Sequence, residues 1–132
     1  MAAEEIPIHL EHAVTPEQQM HGLMERTSLP ADNGMTFNYP YPQPITIWMY
    51  NTKLDLDVAF LDESKVIREI HTLKSYPQIK DPQFFAKRSI TSTFPALYVL
   101  EMNAGWFVSH EVKPGDKASW NIQSSNGIIN RE

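Results

Sequence analysis

The chain has 132 residues, 42% of them hydrophobic and 20% charged, which is the composition of a folded globular protein and suits one domain over residues 1–132. Its formal net charge of -5 gives little attraction to phosphate, so we predict no nucleic-acid partner. The chain has no cysteine, which excludes disulfides, thiolate catalysis and cysteine metal sites, and it has no apolar run long enough to span a membrane.

The N-terminal segment predicts a strand followed by a capped helix. Apolar and polar residues alternate over 6–12, as in a half-buried strand. Residues 15–18 then supply a threonine N-cap, a proline at the first helical position and a glutamine that completes a capping box. Met20, Leu23 and Met24 follow at helical spacing, so we expect them to form the stripe of this helix that faces the core.

The rest of the chain predicts short strands separated by turns. The candidates are residues 35–39, 45–50, 54–61, 66–72, 96–102 and 117–122. The prolines within 40–44 are expected to end the first of them. The segments 83–87 and 105–111 each suggest a helical turn, and the tail 123–132 is expected to fray because it has little to bury.

Seven or so short strands cannot all bury their apolar faces in a flat sheet. Closing the sheet on itself buries one face and removes the exposed edges. The predicted fold is therefore mostly β (α+β): a small, mainly antiparallel β-barrel-like domain with one or two short helices.

Several motifs occur in a fixed order along the chain. They are Gly22-Leu23-Met24-x-Arg26-x-x-Leu29, Gly34-Met35-x-Phe37, Trp48-Met49-x-Asn51-Thr52, Leu56-Asp57-x-x-Phe60 and Tyr98-Val99-Leu100-Glu101-x-x-x-Gly105. Together they resemble a prokaryotic family known as domain of unknown function 192, over about residues 8–120. The resemblance implies a β-rich, barrel-like domain and no established activity, substrate or cofactor.

The resemblance also suggests a compartment, and the chain departs from the pattern of its relatives at two places. Relatives with an N-terminal signal are exported, whereas residues 1–5 lack the basic region and apolar core of such a signal. We therefore favour a periplasmic or extracytoplasmic location if a signal was removed, and a cytoplasmic one otherwise. Asp55 stands where many relatives have proline, and residues 74–94 lack a cysteine that relatives often carry, so thiol chemistry could not operate here.

Acidic residues on the predicted strands are the first candidates for chemistry. Asp55 and Asp57 lie two apart, so both would point to one face of a strand, with Glu101 across the barrel. Such carboxylates suit a hydrolase or a metal-dependent enzyme, which is the alternative function. Because no nucleophile or metal shell accompanies them, we favour a structural role in which Arg26 pairs with a buried Asp57.

The leading prediction is a non-catalytic binding or structural accessory module. Its hypothetical ligand-binding patch consists of Arg26, Trp48, Asn51, Asp57 and Glu101. Trp48 would stack on a small polar ligand, Asn51 and Asp57 would form hydrogen bonds, and Arg26 would orient Asp57. We predict no catalytic residues, no metal ligands and no cofactor.

Other sites are less well supported. The methionines and histidines within residues 9–24 suit copper, but methionine ordinarily fills gaps in a core, and no spacing gathers these ligands onto one face. Aromatic residues near Trp48 and Trp106 would suit a sugar pocket or simply fill a barrel. Ser109, His110 and Asp116 lack a nucleophile elbow, and the glycines form no phosphate loop.

Overall fold

A computed structural model describes residues 4–131, which fold into nine strands and three short helices. The strands are β1 (Glu4–Ala13), β2 (Asn33–Gln43), β3 (Thr46–Ile47), β4 (Leu56–Leu61), β5 (Ile67–Leu73), β6 (Ile90–Thr91), β7 (Ala96–Asn103), β8 (Lys117–Trp120) and β9 (Asn126–Arg131). The helices are α1 (Pro16–His21), α2 (Pro82–Ala86) and α3 (Trp106–Ser109). Strand residues make up 45% of the structure and helical residues 12%, which confirms the mostly β prediction.

Seven strands form one curled sheet in the order β5-β4-β7-β2-β1-β9-β8. All its pairings are antiparallel except that of β1 with β2. The two edge strands meet at one end, where Val66 forms a bridge with Lys117 and the Ile67 amide donates to the Asp116 carbonyl at 2.8 Å. The sheet is therefore a half-barrel whose edges come together at one end only.

Each face of the curled sheet carries its own apolar core. The core on the concave face draws residues from strands at both edges of the sheet, and Phe107 of α3 packs into it. The core on the outer face lies beneath the small β3-β6 sheet and α2, and includes Ile47 and Phe85. Strand β4 is buried on both faces because it serves both cores.

The tail prediction is wrong for the described residues, because Asn126–Arg131 form β9, which lies between β1 and the edge strand β8. This strand pairs antiparallel with both β1 and β8. Ile129 is 0% exposed in the concave core. Two buried positions, Gly127 and Ile129, are too few to reveal the strand from the sequence, since its burial depends on partners far along the chain.

Two strand boundaries also differ from the prediction. Strand β2 continues through Pro40 and Pro42 to Gln43, because β1 pairs with it only as far as Phe37 and the register with β7 shifts between Asn38 and Gln43. Proline costs no ladder hydrogen bond in such an irregular stretch. The predicted strand 45–50 shortens to β3, which pairs only with β6.

The capping box predicted for the first helix is confirmed. Thr15 accepts from the Gln18 amide, and the Gln18 side chain accepts from the Thr15 amide. The helix ends at His21, so the predicted core stripe is wrong in part: Met20 is 75% exposed, whereas Leu23 is buried beyond the helix end. Leu23 reaches the outer core through the segment that follows α1.

Candidate ligand-binding pocket

A pocket of about 360 Å³ lies over the outer face of the sheet. Three parts of the chain surround it: helix α1 with the residues after it, strands β2, β4 and β7, and the segment 46–52. Its lining is Pro16, Gln19, Met20, His21, Gly22, Leu23, Met24, Phe37, Tyr39, Thr46, Ile47, Trp48, Met49, Thr52, Leu56 and Glu101. A volume of this order is typical of small-molecule sites.

The strand register places Glu101 on the floor of this pocket. Glu101 of β7 lies directly opposite Val58 of β4 and Met35 of β2, and both of these belong to the outer core. Residues directly opposite in antiparallel strands share a face. The Glu101 side chain therefore points outward from the half-barrel, toward the pocket.

Glu101 is a buried acid without a partner. Its side chain is 4% exposed, and among residues 4–131 no hydrogen bond or ion pair is formed by its carboxyl group. Desolvation by burial raises the pKa of Glu101 to about 8. The group is therefore mostly a neutral acid near pH 7, since burial penalises its charged form.

Tyr39 shares this apolar environment. Burial raises its pKa to about 12, and the negative charge of nearby Glu101 acts in the same direction. The Tyr39 hydroxyl is therefore neutral over the physiological range, and it lines the pocket together with the Glu101 carboxyl.

An aromatic pair belongs to the segment that flanks the pocket. Trp48 is 37% exposed, and its ring centroid lies 5.0 Å from that of Tyr50. The following turn is fixed by Asn51, which adopts a left-handed φ of 56° and accepts from the Glu25 amide through its carbonyl. Asparagine tolerates this conformation better than most residues, so its position in the motif has a local structural reason.

The structure brings together only two of the five residues predicted for the ligand patch. Trp48 and Glu101 line the pocket, whereas Arg26, Asn51 and Asp57 do not. Arg26 forms a bidentate ion pair with Glu11, with 2.7 Å between Arg26 Nη2 and Glu11 Oε1. The predicted pairing of Arg26 with Asp57 is therefore wrong.

Asp57 is a structural residue of the concave core. It is 1% exposed, and its two carboxylate oxygens accept from the Thr72 hydroxyl at 2.7 Å and from the Phe107 amide at 3.2 Å. These bonds join β4 to β5 and to the start of α3. Burial of a carboxylate requires such partners, and here a hydroxyl and an amide supply them without a cation.

The geometry contradicts the paired-carboxylate alternative. Asp57 lies opposite Met102, a residue of the concave core, whereas Glu101 faces the outer core. The two carboxyl groups are on opposite faces of the sheet, so no substrate can touch both. The predicted pairing of Asp55 with Asp57 also fails, because exposed Asp55 precedes β4 and accepts from Ser75.

The prediction from sequence missed most of the pocket wall. Phe37 and Tyr39 were placed on one face of a strand, and Leu23 and Met24 in a core stripe, but nothing in their spacing showed that these two elements face each other. The sequence did indicate Trp48, as an aromatic residue in a motif, and Glu101, since an acid within an apolar strand must be paired, protonated or functional.

The described residues offer no ready metal or membrane-spanning element. Across residues 4–131, no group of three or more histidine, aspartate and glutamate side chains is placed to hold a metal ion. Within the same range, no helix has both the length and the apolar character needed to cross a membrane.

The curled, mainly antiparallel sheet with an apolar pocket on its outer face defines a small β half-barrel protein. The chain belongs to the DUF192 family, described as an uncharacterized ACR, whose model matches residues 1–120. This confirms the resemblance drawn from the motifs.

Two solved structures share the fold. One, from Sinorhizobium meliloti 1021, is described as a candidate transcription regulator; it is 34% identical, with a TM-score of 0.72, and the match covers 88% of this chain and 92% of that one. The other, a protein of unknown function from Novosphingobium aromaticivorans DSM 12444, is 33% identical, with a TM-score of 0.73, covering 86% of this chain and 75% of that one. No protein with a curated function matches the chain.

Proposed function

We propose that this protein is a non-catalytic binding module that takes a small molecule into the pocket above Glu101. The observation that carries the proposal is the buried, unpartnered carboxyl group on the floor of an apolar pocket. An unpaired buried polar group is costly to a fold, so a native site that keeps one requires an explanation. A ligand group that bonds to the carboxyl supplies that explanation.

The chemistry of the lining favours binding over catalysis. Its two threonine hydroxyl groups are engaged elsewhere: Thr46 bonds to Thr91, and Thr52 donates to the Tyr50 carbonyl. Neither is bonded to a base, as an activated nucleophile would be. Apolar walls with a few fixed polar groups are the usual composition of a binding pocket.

The description of the Sinorhizobium protein does not outweigh this proposal. A regulator that binds DNA directly requires a basic surface, whereas this chain has 11 basic and 16 acidic residues. No observation on the described residues favours a DNA-binding surface over the pocket.

A fragment screen with a local reporter tests the proposal. We expect fragments that bind the pocket to move the indole NMR signal of Trp48, which lines the pocket and is 37% exposed. Trp106 is the internal control, because its indole donates to Asp32 at 3.1 Å outside the pocket lining. The screen is run on the unmodified protein and on the Glu101→Gln variant, and Trp48→Ala, which loses the reporter signal, serves only to assign it.

The proposal requires at least one fragment class that moves the Trp48 signal but not the Trp106 signal and that binds the Glu101→Gln variant more weakly. Glu63→Gln is the matched control, since exposed Glu63 lies in the turn between β4 and β5. A diverse library that yields no saturable shift at Trp48 would overturn the proposal.

A further inference from the structure

We propose that the occupant of this pocket is an organic cation, a small ammonium group carried on an apolar body, which pairs with the Glu101 carboxylate. This inference rests on the proposed binding function and names the class of its ligand. The pocket places one acidic group at its floor and apolar or aromatic groups on its walls. Such an arrangement is complementary to a charged head attached to an apolar body.

No lysine or arginine belongs to the described lining of the pocket. Besides Glu101, its titratable members are Tyr39 on β2 and His21 at the end of α1. Tyr39 is neutral at physiological pH, and His21 is exposed to solvent. Among residues 4–131, the carboxyl group at the floor therefore faces no fixed cation from the pocket lining that would compete with a ligand.

Other ionisable groups on the outer face of the sheet already have partners of their own. On β1, Glu11 lies opposite Met35 and binds Arg26. On β5, Glu69 accepts hydrogen bonds from Thr93 and lies 3.1 Å from His71 Nε2. Both pairs lie two strands away from Glu101, so neither supplies its counter-ion.

The aromatic walls favour the same ligand class. Phe37, Tyr39 and Trp48 line the pocket, and the faces of such rings attract cations. The attraction strengthens when the cation is desolvated, as it would be beside a buried carboxyl group. An anionic ligand would instead meet Glu101 with no cationic partner.

Binding of a cation is coupled to a proton. Glu101 is mostly protonated near pH 7, because burial raises its pKa to about 8. A bound ammonium favours the carboxylate, so Glu101 releases its proton to solvent as the ion pair forms. The affinity for a permanently charged ligand should therefore rise about tenfold per pH unit below the pKa of Glu101 and level off above it.

Three probes of similar shape and different charge test the inference. They are (2-phenylethyl)trimethylammonium, which is a cation at every pH, neutral 2-phenylethanol and anionic 3-phenylpropanoate. Dissociation constants are measured by calorimetry between about pH 6 and pH 9, and proton release is measured by repeating the titration in buffers with different ionisation enthalpies. The side-chain carboxyl carbon of Glu101, followed by NMR, reports its ionisation directly.

We expect the cation to bind most tightly, to release one proton below the pKa of Glu101 and to shift the Glu101 signal toward that of a carboxylate. Glu101→Gln should remove the pH dependence, and Glu63→Gln should retain it. Trp48→Ala should weaken binding of the cation and keep its pH dependence, which provides a second test if Glu101→Gln folds poorly.

The failures of the two proposals are distinguishable. If 2-phenylethanol or 3-phenylpropanoate moves the Trp48 signal as strongly as the cation does, the cation assignment is wrong and the binding function stands. The same conclusion follows if the cation binds without proton release. If neither these probes nor the fragment library bind near Trp48, both proposals are overturned.

Discussion

Burial of the Glu101 carboxyl group makes the stability of the fold depend on pH. Its pKa is about 8 in the folded protein, against an ordinary value of 4.5. Between these values the folded state holds a proton that the unfolded state has lost, so stability falls as pH rises through this window. The stabilisation is complete below about pH 4.5 and is lost by about pH 8.

The first prediction follows from this fall in stability with rising pH. Glu101→Gln should remove a decline of a few kcal/mol in the free energy of unfolding across that window, because glutamine has no proton to lose. Urea unfolding at a series of pH values measures the difference between the variant and the unmodified protein. Exposed Glu63→Gln should leave the decline in place, and equal declines in the protein and in Glu101→Gln would contradict the prediction.

Asp57 is also a buried acid, but its carboxyl group has hydrogen-bond partners within the fold. Its two oxygens each accept one hydrogen bond, from Thr72 and from Phe107. In Asp57→Asn, the amide nitrogen would face one of these donors. We predict a loss of about 1–3 kcal/mol in the free energy of unfolding, measured with urea.

The control for Asp57→Asn is Asp55→Asn. Asp55 accepts both the amide and the hydroxyl of Ser75 on the same oxygen, Oδ1, which asparagine retains. Its substitution should cost clearly less than that of Asp57. Equal losses at the two positions would show that the bonds of Asp57 carry no special weight.

At the scale of elements, β9 holds the half-barrel together. It lies between β1 and β8, so its removal would leave the edge strand β8 without the strand with which it pairs. Gly127 fits closely inside this strand, since a Cβ there would lie 2.5 Å from Leu10 Cδ1 and the Leu10 side chain would have to shift. Strand β9 is therefore an ordered part of the sheet.

The matched pair Ile129 and Ile128 tests this role. Ile129 is fully buried in the concave core, whereas its neighbour Ile128 is half-buried on the other face. We predict that Ile129→Ala lowers the free energy of unfolding by about 2–4 kcal/mol and that Ile128→Ala lowers it by much less. Similar small losses at both positions would instead indicate a frayed tail.

Local sequence patterns predicted the helices and strands better than they predicted which strands pair with each other. The capping box of α1 and the alternation in β1 depend on adjacent residues, so the sequence was enough to find them. The place of β9 depends on pairing with β1, more than a hundred residues earlier in the chain. Likewise, the floor of the pocket follows from the register of β7, which no local pattern encodes.

On the scale of the whole molecule, two arrangements decide the candidate site. The concave face is filled by its own apolar core, whereas the pocket above Glu101 lies on the outer face. There, α1 and the segment 46–52 leave the floor partly uncovered. The sequence identified Trp48 and Glu101, yet it could not separate them from Asp57, because a single residue of register decides which face of the sheet a side chain occupies.

The net charge leads to the last prediction, which concerns nucleic acid. Non-specific affinity for DNA comes from cations that displace the counter-ions of the phosphates, and this chain carries a net charge of -5. We expect labelled duplex and single-stranded DNA to bind more weakly than about 10⁻⁴ M at physiological salt, as measured by fluorescence anisotropy. Micromolar binding that falls steeply as salt is added would contradict this expectation and support a direct regulatory role. Micromolar binding unaffected by salt would indicate contacts to bases without phosphate neutralisation, and it would also contradict the expectation.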